Sequence, residues 1–201
     1  MRAEFMPKEQ NHTYEKLYYT LWELAGRYSG FCQFRAVGNS HDDRLIPMLE
    51  VGNGAQMIFC VAGIDGTQNL LPRLLIQMAE EYCRAYECGR QLEEFYEVKK
   101  LLDKIRICFL PLLNPDGYEI NQSGFSMIRN PIYRQMLRMQ SIPAKDFGYN
   151  ARGVDICHNF PTVHYIRSRM GEEPASENET KALIRIMQEY GGRGLLTFGQ
   201  A

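Results

Sequence analysis

Residues 56–69, QMIFCVAGIDGTQN, decide how this chain is read. From Met57 to Ala62 the run is almost unbroken apolar, the pattern of a strand covered on both faces. Gly63 and Gly66 then allow the backbone to bend tightly, and a helical pattern begins at Leu70. In an open α/β sheet, ligands bind outside the carboxyl ends of the strands. Asp65 and Gln68 therefore fall where the side chains of a site are expected.

On the amino-terminal side, residues 13–28 are predicted to form a helix capped by Thr13. Leu17, Leu21, Leu24 and Tyr28 share one face of it, with Glu15 and Glu23 outside. Trp22 and the tyrosines of this helix are expected in core and rim packing. Residues 31–38 and 45–51 read as strands around a polar turn at 39–44, and the next strand covers 56–62. After the bend, residues 70–88 form a long amphipathic helix with Leu71, Leu74, Leu75, Met78 and Tyr82 inward and Pro72 in the first turn. A second helix is predicted over 92–104, then a strand over 105–113 that ends at Asn114-Pro115-Asp116-Gly117. Strand, helix and strand in this order imply a crossover and parallel pairing.

Residues 120–150 lack clean periodicity and read as a surface or functional excursion. Residues 176–190 form the last helix, with Ser176 as N-cap and Glu179 completing a capping box. Residues 195–198 look like the start of one more buried strand. The expected fold is α/β: a mixed, mostly parallel, twisted sheet with helices on both faces, in a single domain spanning residues 1–201.

Length and composition suit such a domain: 201 residues, 45% hydrophobic and 23% charged, enough to bury one core. A net charge of −1 lacks the basic surplus that nucleic acid or an anionic membrane would call for. No apolar run approaches the roughly 20 residues of a membrane span. The first residues, MRAEFMPKEQ, contain no apolar signal segment, and the six cysteines show neither metal nor disulfide spacing. Cys60 and Cys108 read as buried thiols, and a reduced, cytoplasmic protein is expected.

AGIDGTQN resembles the AGxHGxE segment of the zinc metallocarboxypeptidases, the carboxypeptidase A family, and other segments follow in that family's order. PLLNPDGYE (111–119) is similar to the family's NPDG segment. Arg129 stands fifteen residues after Asn114, at the position of the family's catalytic arginine. ARGVDICHNFP (151–161) is similar to GVDLNRNFP, PASENET (174–180) to the SEPET helix start, and GLLTFGQ (194–200) to the strand ending HSYGQ. The NARGVD wording looks most like bacterial members, some of which cleave γ-D-glutamyl-diamino acid bonds of cell-wall peptides. The resemblance runs from about Tyr14 to the end of the sequence and implies the fold, a zinc cofactor and peptide hydrolysis.

The residues that would perform that chemistry depart from the family. Its zinc ligands, His, Glu and His, stand here as Asp65, Gln68 and Leu196. Aspartate can ligate zinc, a neutral amide does so poorly, and leucine cannot. Metal binding of this kind is worth on the order of 10 kcal/mol, so losing two ligands should abolish useful affinity. The Asn-Arg pair that grips the terminal carboxylate appears as Cys157-His158, which exchanges a bidentate charged fork for a partly charged ring. Arg129, which the resemblance casts as the residue stabilising the oxyanion, is retained. The family's general-base Glu and substrate-binding Tyr would lie beyond Ala201, so the domain is expected to be short at its C-terminus.

Each residue also has a plain structural role open to it. Asp65 suits the turn or the cap of the next helix, and Gln68 a first-turn position. Arg129 could lie on a solvated loop. A Cys157–His158 nucleophile pair is disfavoured because neighbours on an extended segment face opposite ways. His12, His41 and His164 read as surface or loop residues, and Asp116 and Asp155 as turn residues. The expectation is a carboxypeptidase-like domain without cofactor or peptidase activity that binds a peptide or another small anion. The alternative is an active metallocarboxypeptidase, or γ-D-glutamyl-diamino acid peptidase, whose unusual metal site is completed by Asp65 and His158 or by a partner chain.

Overall fold

The computed structural model describes residues 12–92, 96–167 and 173–199. In chain order the elements are α1 (Tyr14–Arg27), β1 (Cys32–Asn39), β2 (Leu45–Val51), β3 (Gln56–Val61), α2 (Leu70–Cys88), β4 (Gln91–Leu92), β5 (Tyr96–Glu97), α3 (Val98–Leu102), β6 (Ile105–Leu110), α4 (Pro115–Ser123), α5 (Pro131–Arg138), α6 (Asn178–Tyr190) and β7 (Gly194–Thr197). Five strands form the main sheet in the order β1-β2-β6-β3-β7. β1, β2 and β6 pair antiparallel, whereas β3 runs parallel to both β6 and β7. The sheet is mixed, with α/β layering as expected, and its parallel half carries the bend at residues 62–69.

The strands are apolar on both sides because each side meets a helical layer. Leu49, Val51, Cys60, Ala62, Ile107 and Phe109 face the layer of α1, α2 and α3. Ile46, Met48, Met57, Phe59, Val61, Cys108 and Leu110 face α6 through Ala182, Leu183 and Ile186. Alternation along β3 and β6 divides the two sets, as a period of two requires. Glu50 intrudes on the α6 side. It is buried, but its carboxylate accepts from Arg35 Nε at 2.6 Å and Arg106 Nη1 at 3.0 Å, so the charge is paired on both oxygens.

Several sequence expectations need correction. The helix predicted over 92–104 is confined to α3, preceded by the short β4–β5 pairing; part of that stretch lies outside the described residues. In α2 the buried residues are Pro72, Leu75, Ile76, Ala79, Cys83 and Ala85, with Leu74 exposed. Leu71, Met78 and Tyr82 pack against the same core from partly buried positions, so of the predicted inward residues Leu74 alone faces out. Residues 120–150 are ordered by α5 and two 3-10 turns around their own small core of Ile120, Ile128, Leu137 and Phe147. Trp22 is exposed, and His12 is buried, its carbonyl accepting from the Tyr118 hydroxyl at 2.6 Å. β7 is not a buried strand: Leu195 and Leu196 are 41% and 56% exposed.

The capping box at α6 does not form. Glu177 takes the N-cap position without a side-chain cap bond, and both it and Glu179 turn inward. Glu177 accepts from Asn150 Nδ2 at 2.7 Å, Ser176 Oγ at 2.7 Å and Arg152 Nη1 at 2.9 Å, and lies 3.0 Å from His41 Nε2. Burial alone would raise its carboxyl, but these donors and the His41 charge hold it down at about 2. Glu179 has only a 3.4 Å contact from Asn150 Nδ2, and burial together with the nearby Asp116 charge pushes its carboxyl up to about 7.

Two outcomes are expected. Gly66 closes the bend against α4, where a Cβ would sit 2.4 Å from the Gly117 carbonyl carbon. Gly66→Ala should therefore destabilise the fold by about 2–4 kcal/mol in urea unfolding. The second concerns Glu179, whose folded value lies above its ordinary 4.5. Its contribution to stability is present below pH 4.5 and lost as pH rises through about 7. In chelator-containing buffer, Glu179→Gln should flatten the pH dependence of the melting temperature across that window.

Candidate functional site

The bend after β3 is built by close approach of three backbones. The Asn114 amide donates to the Gly63 carbonyl at 2.8 Å, and the Gly66 amide to the Gly148 carbonyl at 2.9 Å. Asn114, fully buried, caps α4 by accepting from the Gly117 amide at 2.9 Å. Its Nδ2 reaches the carbonyls of Ile64 and Gly148, each at 3.2 Å. Gly63 adopts φ +59°, and a Cβ there would meet the Pro111 carbonyl at 2.8 Å, so no other residue fits without movement. These contacts bring residues 64–69, the end of β7 and the loop through Gly148 to one end of the sheet.

Asp65 serves the turn. Its Oδ1 accepts from the Thr67 amide and hydroxyl, both at 2.7 Å, an Asx-type turn. Gly148 passes so close that a Cβ there would lie 2.5 Å from Oδ1. Gln68 precedes α2 rather than standing in its first turn, and its amide donates to the Asp65 carbonyl at 3.2 Å. Its side chain lies beside Gly199, with Oε1 buried and unpartnered among the described residues. Leu196 pairs with Cys60 in the β3–β7 register and offers no donor atom.

Arg129 is held by its backbone. The Asp42 carboxylate accepts from the Arg129 and Asn130 amides, each at 2.8 Å, while Arg44 anchors Asp42 at 2.7 Å. The Arg129 guanidinium is exposed and donates to the Asp43 carbonyl at 3.2 Å. Asp116, expected as a turn residue, is a wholly buried partner of Arg44 at 2.9 Å and of the Ser40 hydroxyl at 2.7 Å. Cys157 and His158 lie in a 3-10 turn, not an extended segment. Asp155 organises that turn: Oδ1 accepts from the Cys157 amide at 2.9 Å, and Oδ2 lies 2.8 Å from His158 Nδ1. Cys157 is exposed at its outer surface, yet the protein around its sulfur and the carboxylates of Asp155 and Asp65 push the thiol up to about 12. A thiol so seldom ionised is a poor nucleophile.

The donor set at this end of the sheet does not fit a catalytic zinc. Asp65 Oδ1 is engaged by Thr67, Gln68 is an uncharged amide, and Leu196 is a hydrocarbon. Among the described residues, ligand atoms of three His, Cys, Asp or Glu side chains converge instead at His41, Glu177 and Glu179, all within 4.8 Å of one another. The sequence does not reveal this cluster: His41 reads there as a surface residue and Glu179 as part of a capping box. Nothing in spacing links residue 41 to residues 177 and 179; only their meeting beneath α6 does.

The family model for zinc carboxypeptidases matches residues 17–200. The human carboxypeptidase N catalytic chain is 25% identical over 208 residues, covering 90% of this chain and 40% of that protein. Rat carboxypeptidase D is 28% identical over 180 residues, covering 86% of this chain and 11% of that protein. Bovine thrombin-activatable fibrinolysis inhibitor, solved with a tick carboxypeptidase inhibitor, superposes with a TM-score of 0.69 at 18% identity, over 96% of this chain and 61% of that one. Carboxypeptidase A from Helicoverpa armigera gives 0.61 at 18% identity, over 96% and 49%. The chain thus spans less than two thirds of the length of each of these relatives. With the family model matched over nearly its whole length and the characteristic sheet in place, the chain belongs to the zinc carboxypeptidase family.

Proposed function

We propose that this chain is a carboxypeptidase-like domain without peptidase activity, which binds a peptide carboxylate or another small anion rather than hydrolysing a peptide bond. The observation that carries the reading is the donor chemistry at the end of β3. Leu196 stands in the register where β7 should supply a ligand, and Asp65 commits one carboxylate oxygen to its own turn. Catalytic zinc requires three good protein ligands and an open position, and a single shared carboxylate does not supply them.

Arg129 supports the binding half of the reading. Its backbone is pinned by the buried Asp42–Arg44 pair while its guanidinium stays exposed with one carbonyl partner, so donor capacity remains for a carboxylate. His158, oriented by Asp155, is the second candidate contact. A metal site completed by Asp65 and His158 is the competing reading. It is disfavoured because no third ligand atom joins them among the described residues.

With zinc supplied, peptides bearing a free C-terminus should be turned over no faster by the wild-type chain than by Asp65→Ala. Zinc-dependent release of the C-terminal residue, abolished in Asp65→Ala, would overturn the reading. For binding, Arg129→Ala should weaken a carboxylate-terminated peptide by about tenfold in calorimetry, the worth of one charge-assisted hydrogen bond. A C-terminally amidated peptide should bind both proteins equally.

A further inference from the structure

Beneath the start of α6, three side chains from distant parts of the sequence point their ligating atoms at one another. His41 comes from the β1–β2 turn, Glu177 from the N-cap position of α6 and Glu179 from its first turn. Both glutamates are wholly buried. His41 Nε2 lies 3.0 Å from Glu177 Oε2 and also 3.4 Å from the Asn178 amide nitrogen, which donates to it. Protonated, this ring nitrogen donates to the Glu177 carboxylate; deprotonated, the same nitrogen offers its lone pair as a metal ligand, so a proton and a metal ion compete for one position. Glu179 Oε1 adds a buried oxygen with no hydrogen-bond partner among the described residues. Leaving such an oxygen unsatisfied costs free energy that a ligand would recover.

We propose that His41, Glu177 and Glu179 form a binding site for a single divalent transition-metal ion, of which Zn²⁺ is the best match. One imidazole and two carboxylates are the mixed nitrogen and oxygen donor set that zinc accepts. Zinc–ligand bonds of about 2.0–2.2 Å require the three atoms to draw together from their present spread, a small side-chain adjustment. The outer partners are in place: Asn150 and Arg152 hold Glu177 by both oxygens, as supporting hydrogen bonds hold ligating carboxylates. His41, 15% exposed, is the route of entry. The ion would tie the β1–β2 turn to α6, a structural role that uses none of Asp65, Gln68 and Leu196.

The test uses the whole chain, stripped with chelator, dialysed and titrated with Zn²⁺ alone. The site predicts about one equivalent bound and a raised melting temperature. Glu179→Gln and His41→Ala should each weaken binding by more than about 100-fold, beyond the roughly 10–100-fold that loss of a supporting residue costs. Asp65→Ala should bind as the wild type does, which separates this site from the family's. Glu179→Gln keeps the shape of the side chain and removes an uncompensated buried charge. Without metal it should melt no lower than wild type, so lost binding cannot be ascribed to unfolding. No stoichiometric zinc in the wild type, or binding lost in Asp65→Ala and kept in Glu179→Gln, would overturn the proposal.

Discussion

The close approach of the β3 and β6 ends, clamped by Asn114, is the constraint on which the rest of this structure depends. Parallel neighbours cannot turn away from each other at their carboxyl ends without leaving backbone groups unpaired. Here the two chains stay in contact past the strands, through Leu113 to Ala62 at 3.1 Å and Asn114 to Gly63 at 2.8 Å. Asn114 then joins Ile64, Gly117 and Gly148 through one side chain. Glycines at 63, 66 and 117 leave the room that this crossing needs, since a Cβ at any of them would fall within 3 Å of a backbone or Asn114 atom.

That constraint explains how the family's scaffold persists where its ligands are exchanged. The bend is shaped by backbone contacts, and these do not depend on whether position 65 holds a metal or position 196 carries an imidazole. Asp65 suits the bend for its own reason, since its carboxylate closes the turn onto Thr67. The substituted positions are therefore compatible with folding while the donor set for zinc is dispersed.

Buried charge supplies the second set of ties. Arg44 bridges Asp42 and Asp116, joining the β1–β2 turn to α4, and Asp42 in turn holds the loop at Arg129. Asn150, Arg152 and His41 gather on Glu177 and join the same turn to α6. Such pairs add little net stability, because desolvation offsets the attraction, but breaking one partner leaves an uncompensated charge inside. They hold loops of low intrinsic order in one arrangement around the sheet. Glu179 is the exception, buried beside this network without a cation of its own among the described residues.

By itself, the sequence determined what local chemistry controls. The strand over 45–51, the bend at Gly63 and Gly66, and the helix over 70–88 were all legible, because apolar periodicity and glycine positions act over a few residues. So was the mismatch of Asp65, Gln68 and Leu196 with zinc, since it rests on residue identity alone. Tertiary structure decided the rest. The exposure of Leu74 on α2, the exposure of β7 and the failure of the Ser176 capping box each depend on what packs against the element. Packing outweighs propensities of a few tenths of a kcal/mol per residue. The inward turn of Glu177 and Glu179 toward His41 belongs to this class, because a contact between residues so far apart in the chain exists only once the sheet has placed both ends.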